Sequence, residues 1–296
     1  MYLIPKYPGN AGRERKILCV LVCLCFAGGV LSQENPTPIA ASYPWEHRAD
    51  INNALAGRIA PPDGYTRVSP SEGSFGWWLQ RLPLEAGKPP VHLYNGRLKG
   101  NQNAHCAVMD IDVGSRNLQQ CADAVIRLRA EYLYSRNPLS DIVFHFTSGD
   151  AAPWKMWREG WRPRVDGSRV KWEKSAAPDA GHAALRRYLD TVFIYAGTLS
   201  LSQELAPVAD LRDIAGGDVF IRGGTPGHAV LVVDAAVNPE GRKVFLLAQS
   251  YMPAQEIHIL VNPGDAALSP WYSIHFGATL DTPEWTFTNK DLKRFP

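Results

Sequence analysis

Cysteine is scarce in this chain. Five occur in 296 residues, and three of them, Cys19, Cys23 and Cys25, fall inside one apolar run near the N-terminus. Cys106 and Cys121 are the only two beyond it. No Cys-x-x-Cys, His-Glu-x-x-His or calcium-loop pattern is present, so no metal site is expected. A Gly-x-Ser-x-Gly elbow is also missing, which removes the usual sign of an α/β serine hydrolase. Gly216-Gly217 and Gly223-Gly224 lack the spacing of a phosphate loop, and no cofactor is expected. Nor is there a long basic run, so the electrostatic footprint of a nucleic-acid binder is absent.

The N-terminus has the pattern of an export signal. Arg13, Arg15 and Lys16 precede the apolar stretch from Ile17 to Leu31. That stretch falls short of the roughly 20 apolar residues that span a bilayer. Val30 and Ser32 are small enough to flank cleavage after Ser32. The expected organisation is a signal peptide over 1–32, a Pro- and Ala-rich linker over 33–50 and a single domain over 51–296. A secreted or periplasmic protein without a membrane segment follows, with an uncleaved anchor as the alternative. Cleavage removes four basic residues and one acid, which takes the formal charge from +2 to about −1.

Hydrophobic periodicity predicts a short helix at Trp77-Trp78-Leu79 and strands at 91–94, 104–113 and 142–146. Helices are expected from Asn117 to Tyr134 and from Ala183 to Leu205. The last third alternates as strands at 218–221, 228–237, 243–248 and 256–260. Helices followed by an antiparallel sheet define an α+β class.

Three residue types in this order carry the chemistry. Cys121 is placed in the first turn of a helix, where unpaired N–H groups and the dipole favour thiolate. Asp123 works against that as a nearby negative charge. His228 follows the turn Gly223-Gly224-Thr225-Pro226-Gly227 at the mouth of the sheet, while His105, His145 and His258 sit inside apolar strands as structural residues. With a two-residue turn at Pro239-Glu240, Val230 lies opposite Gln249 and His228 becomes its diagonal neighbour. A slip of one residue turns Gln249 to the other face. A disulfide between Cys106 and Cys121 is the plain alternative. If 104–113 is extended, Cys106 lies roughly 20 Å back from the end of that strand and the helix returns only about 6 Å by Cys121, which leaves the two beyond the reach of a bridge. An inert buried cysteine is the third reading. Trp154, Trp157 and Trp161 recur at helical spacing, with Gly160 ending the helix; core packing accounts for most of them, and Trp161 is a candidate for binding a ring or peptide beside the cleft.

These residues resemble the papain-like cysteine hydrolases, in which Cys on a helix N-terminus is followed by His and then an amide on successive strands. The motifs are His228-Ala229-Val230 and Gln249-Ser250-Tyr251, with Gly217-Asp218 opening the preceding strand. More closely, Gln120-Cys121-Ala122-Asp123-Ala124 and Ala248-Gln249-Ser250-Tyr251-Met252-Pro253-Ala254-Gln255 resemble an uncharacterised bacterial secreted family known only as a domain of unknown function. The papain-like resemblance implies a papain-like α+β fold. It also implies Cys121 as nucleophile, His228 as base and Gln249 as the group that orients the ring. Ser115 stands where papain itself has its oxyanion glutamine, which leaves Gln119, Gln120 or backbone N–H groups for that task. Tyr251 and Trp161 are the expected binding residues, and a peptide or peptidoglycan-like molecule the expected substrate. The rival reading is a non-catalytic cell-envelope binding or structural protein on the same fold.

Overall fold

The computed structural model describes Tyr43 and residues 53–296. The expected signal peptide, and the linker apart from Tyr43, lie outside the described residues. A nine-stranded antiparallel sheet dominates the chain. Its strands are β1 (Thr66–Arg67), β2 (His105–Val108), β3 (Ala206–Pro207), β4 (Val219–Arg222), β5 (His228–Val237), β6 (Lys243–Gln249), β7 (His258–Leu260), β8 (Tyr272–Ser273) and β9 (Leu292–Arg294). The spatial order is β2-β7-β6-β5-β4-β9-β3, with β1 on β5 and β8 on β6. Among the described residues, three two-stranded hairpins lie outside it, at residues 143–153, 161–174 and 280–287. The helices are α1 (Leu55–Arg58), α2 (Phe75–Leu79), α3 (Cys121–Arg136), α4 (Trp154–Arg158), α5 (His182–Tyr195) and α6 (Thr198–Glu204).

This is a mainly β fold, and it overturns the papain-like α+β expectation of helices followed by a sheet. β1 and β2, the latter within the strand expected over 104–113, precede the long helix and join the same sheet as the strands of the last third. The segment after Gly160 is also a hairpin, pairing Trp161–Asp166 with Arg169–Lys174 around a turn at Gly167 (φ 61°). The two-residue loop is Gly167-Ser168, between the paired Asp166 and Arg169, and a Gly-Ser loop of that length is a short-range hairpin signal.

The sheet is covered on both faces, which is why β5 reads as an almost continuous apolar run. All of its residues except Val237 are buried. Ala229, Leu231 and Val233 face one core cluster together with α3 (Cys121–Arg136), α5 (His182–Tyr195) and the tryptophans Trp78, Trp154 and Trp271. Val230 and Val232 face a second cluster with Phe220, Phe245, Phe287 and Leu292. Helix α3 runs through the first of these cores and is buried even at Arg127 and Glu131. Those charges are satisfied in place. Arg127 Nε donates to Glu131 at 2.6 Å, and His182 Nε2 lies 2.9 Å from the same carboxylate.

The helix expected over 183–205 is two helices. Helix α5 stops at Tyr195, and α6 (Thr198–Glu204) begins after Gly197. No helix among the described residues is long and apolar enough to cross a membrane.

Candidate active site

A cleft of about 480 Å³ opens where the ends of three elements meet. These are the first turn of α3, the gap between α5 and α6, and the loop 223–227 between β4 and β5. Cys121, Asp123, Gln120, His228, Tyr251 and Trp285 all line it. Gly227 is required by crowding in that loop: a Cβ there would lie 2.8 Å from the Arg222 carbonyl oxygen and on top of Thr198. The loop can therefore turn tightly and release His228 directly into β5.

The His228–Gln249 pairing comes from two departures that cancel. The hairpin turn is one residue longer than expected, since Asn238 N–H donates to the Arg242 carbonyl and Lys243 pairs with Val237. A bulge at Val233 then shifts the register back, so that Leu247 pairs with Val232 and Ala248 with Leu231. Gln249 and His228 end on one face, with His228 Nε2 3.0 Å from Gln249 Oε1. The bulge has a physical anchor. Asp234, fully buried, accepts from Arg67 Nε at 2.7 Å and from Gln80 Nε2 at 2.8 Å.

Gln249 does not end the chain of contacts. Its Nε2 donates to Glu284 Oε2 at 2.6 Å and lies 3.4 Å from Nε2 of His258, its partner across β7. Glu284 in turn pairs with the buried Lys99. The His228 ring is walled by Tyr251 (centroids 4.8 Å), Trp285 (5.3 Å) and Phe287 (5.9 Å, stacked). Among the described residues, Nδ1 has no hydrogen-bond partner. Burial holds the imidazole down at about 4, against the raising effect of the Gln249 bond, so the ring is neutral at pH 7.

Cys121 is the first residue of α3, and Gln120 is its N-cap. Asn117, where the sequence places the start of this helix, lies outside it and accepts from the Ala254 N–H at 2.8 Å. The thiol does not follow the helix-terminus expectation. Burial, and then the neighbouring Asp123, push it up to about 11 against the backbone amides of Ala122, Ala229 and Cys121 itself. Asp123 accepts from the Gln120 N–H at 3.0 Å, while its other oxygen is buried without a partner. Burial also raises this carboxyl, to about 8. The Ala229 amide brings the sulfur against the residue next to His228, yet no hydrogen bond joins the sulfur to the ring. Cys106 and Cys121 are both free thiols.

Two expected binding residues lie elsewhere. Gln119 does not line the cleft; its Oε1 accepts from Arg127 Nη1 at 3.1 Å inside the core. Trp161 opens the 161–174 hairpin and does not reach the cleft either. Trp285 is the indole beside His228. The sequence reading missed both Trp285 and Glu284, which lie far from the Cys and His motifs in a turn closed by Thr282 and Trp285. Among the described residues, no group of three His, Cys, Asp or Glu side chains could hold a metal ion.

No curated protein and no solved structure matches the chain, so the papain-like resemblance gains no support from those comparisons. One family does match, over residues 55–294, and that range contains every residue of the cleft. The chain belongs to this family, which is described as a domain of unknown function (4846).

Proposed function

We propose that the cleft is the active site of a cysteine-dependent hydrolase or acyltransferase acting on amide or ester bonds, with a peptide-like substrate. The observation that supports this reading is a neutral imidazole whose Nε2 is held by Gln249 and whose Nδ1 is free, in the same cleft as a thiol at a helix N-terminus. The sulfur of Cys121 adds to the carbonyl carbon as its proton passes to Nδ1 of His228. The C–O or C–N bond then breaks, and the leaving group takes that proton. Water, or an acceptor nucleophile, releases the thioester by the reverse proton path. First-turn amides of α3 and the Gln120 side chain face the developing oxyanion.

An activated ester such as p-nitrophenyl acetate tests the reading through acyl-enzyme formation, followed by mass spectrometry mapped to the residue. Acylation is expected at Cys121, absent in Cys121→Ala and slowed about 100-fold or more in His228→Ala. Acylation that persists undiminished in both variants overturns the proposal. One observation favours the rival reading of a non-catalytic envelope-binding protein: the thiol is only 7 % exposed. That reading predicts no acylation of Cys121 by any ester.

A further inference from the structure

The amide of Gln249 could face either way, and only one way leaves His228 able to accept a proton. Three neighbours decide it. The carboxylate of Glu284, ion-paired to Lys99, accepts and does not donate, so the contact at 2.6 Å must be made by the Gln249 NH₂ group. His258 adds a second constraint. Its Nδ1 lies 2.9 Å from the Glu256 carbonyl, which only accepts, so Nδ1 carries the proton. Burial keeps that ring neutral, at about 3, which leaves its Nε2 as a lone pair facing Gln249 Nε2. Both acceptors draw the NH₂ group away from His228. Oε1 is left to face His228 Nε2 and demands a proton there.

We infer that Glu284, supported by Lys99 and assisted by His258, is a positioning residue that fixes the Gln249 amide and so locks His228 in its Nε2–H form. If the amide turned over, its NH₂ group would meet His228 Nε2 and force the proton onto Nδ1. The ring would then present a donor to the cleft and could take no proton from Cys121. Glu284 does this from outside the cleft, touching neither the thiol nor the imidazole. The same turn carries Trp285 against the His228 ring, so one segment sets both the ring's tautomer and one of its walls.

The catalytic importance of this arrangement rests on the proposed acyl chemistry, but the tautomer can be measured without it. ¹⁵N-labelled histidine NMR of the wild-type protein at pH 7 is expected to show His228 as a single Nε2–H tautomer. Glu284→Ala removes the strong acceptor and should give mixed tautomers, with acylation by p-nitrophenyl acetate slowed about tenfold, the scale of one hydrogen bond to a charged group. Glu284→Gln can still accept through its own carbonyl oxygen and should restore most of the single-tautomer signal and of the rate. A purely structural role would lower the melting temperature of both variants and leave the tautomer unchanged. The inference is overturned by an Nδ1–H ring in the wild-type protein, or by a wild-type tautomer in Glu284→Ala; the first outcome needs no variant to fold. Absence of acylation alongside the expected tautomers would count against the acyl chemistry alone and leave the positioning of His228 standing.

Discussion

Cys121 and His228 face each other's cleft as a neutral thiol and a neutral imidazole, not as an ion pair. With the thiol at about 11, only about one molecule in ten thousand carries a thiolate at pH 7. Asp123, raised to about 8, changes from mainly neutral to mainly charged as the pH rises through that value. That charge is, after burial, the second cause that holds the thiol up. Alkylation by iodoacetamide, which requires thiolate, should therefore climb about tenfold per pH unit from pH 6 towards 10 without levelling near neutrality. Asp123→Asn keeps an oxygen for the Gln120 amide and removes the charge. It should label faster than wild type, and by a widening margin above pH 8. Residue-mapped mass spectrometry separates Cys121 from Cys106 in both proteins. A plateau already reached at pH 7 would mean that a thiolate–imidazolium pair exists at rest, contrary to this account.

At the scale of elements, the β5–β6 hairpin shows what the sequence could and could not disclose. The strands themselves were legible, because each is a short, almost continuous apolar run bounded by turn residues. The pairing of His228 with Gln249 was reached with a turn one residue too short, and the bulge at Val233 restored the register. Nothing local marks that bulge. It is held by Arg67 and Gln80, more than 150 residues away from Asp234 in the chain. The thiol's elevation was illegible for a similar reason: a helix N-terminus is a sequence feature, whereas burial of its first turn is not. Arg67→Met should test the anchor. It leaves Asp234 buried with only Gln80 and the Ala235 amide, and desolvation then favours the protonated carboxyl more strongly. Because Arg67 is partly exposed, a loss of about 2 kcal/mol is expected, below the usual cost of breaking a fully buried pair. A shift of the urea midpoint at constant slope is the measurement, and an unchanged midpoint would show that the bulge does not depend on this contact.

At the scale of the whole sheet, residues 280–294 tie the site to the architecture. Residues 280–294 supply Glu284 and Trp285 to the site, Leu280, Phe287 and Leu292 to the second core, and β9 to the interior of the sheet between β4 and β3. This explains why Glu284 could not be read from the Cys and His motifs: those motifs describe neighbours along the chain, and Glu284 becomes a neighbour of Gln249 only once the 280–287 hairpin packs on β4 through Phe287 and Phe220, with β9 docked on the same strand. Docking is secured by the Leu292–Phe220 and Lys293–Val219 pairs and by Arg294, whose Nε lies 2.6 Å from the buried carboxylate of Asp218. Ending the chain after Thr279 should therefore do more than disable the site. It exposes the edge of β4, unpairs Asp218 and strips Phe220 of its contact with Phe287. The expected result is loss of a cooperative thermal transition by circular dichroism, with aggregates on size-exclusion chromatography, since an unprotected apolar edge strand invites pairing with another chain. Arg294→Ala in the full-length chain separates the two effects. It removes the charge partner of Asp218 but leaves β9 in place, so a cooperative, destabilised transition should remain. A truncated chain that still melts cooperatively as a monomer would show that the sheet is complete without β9, and would remove the reason for tying the site to the end of the chain.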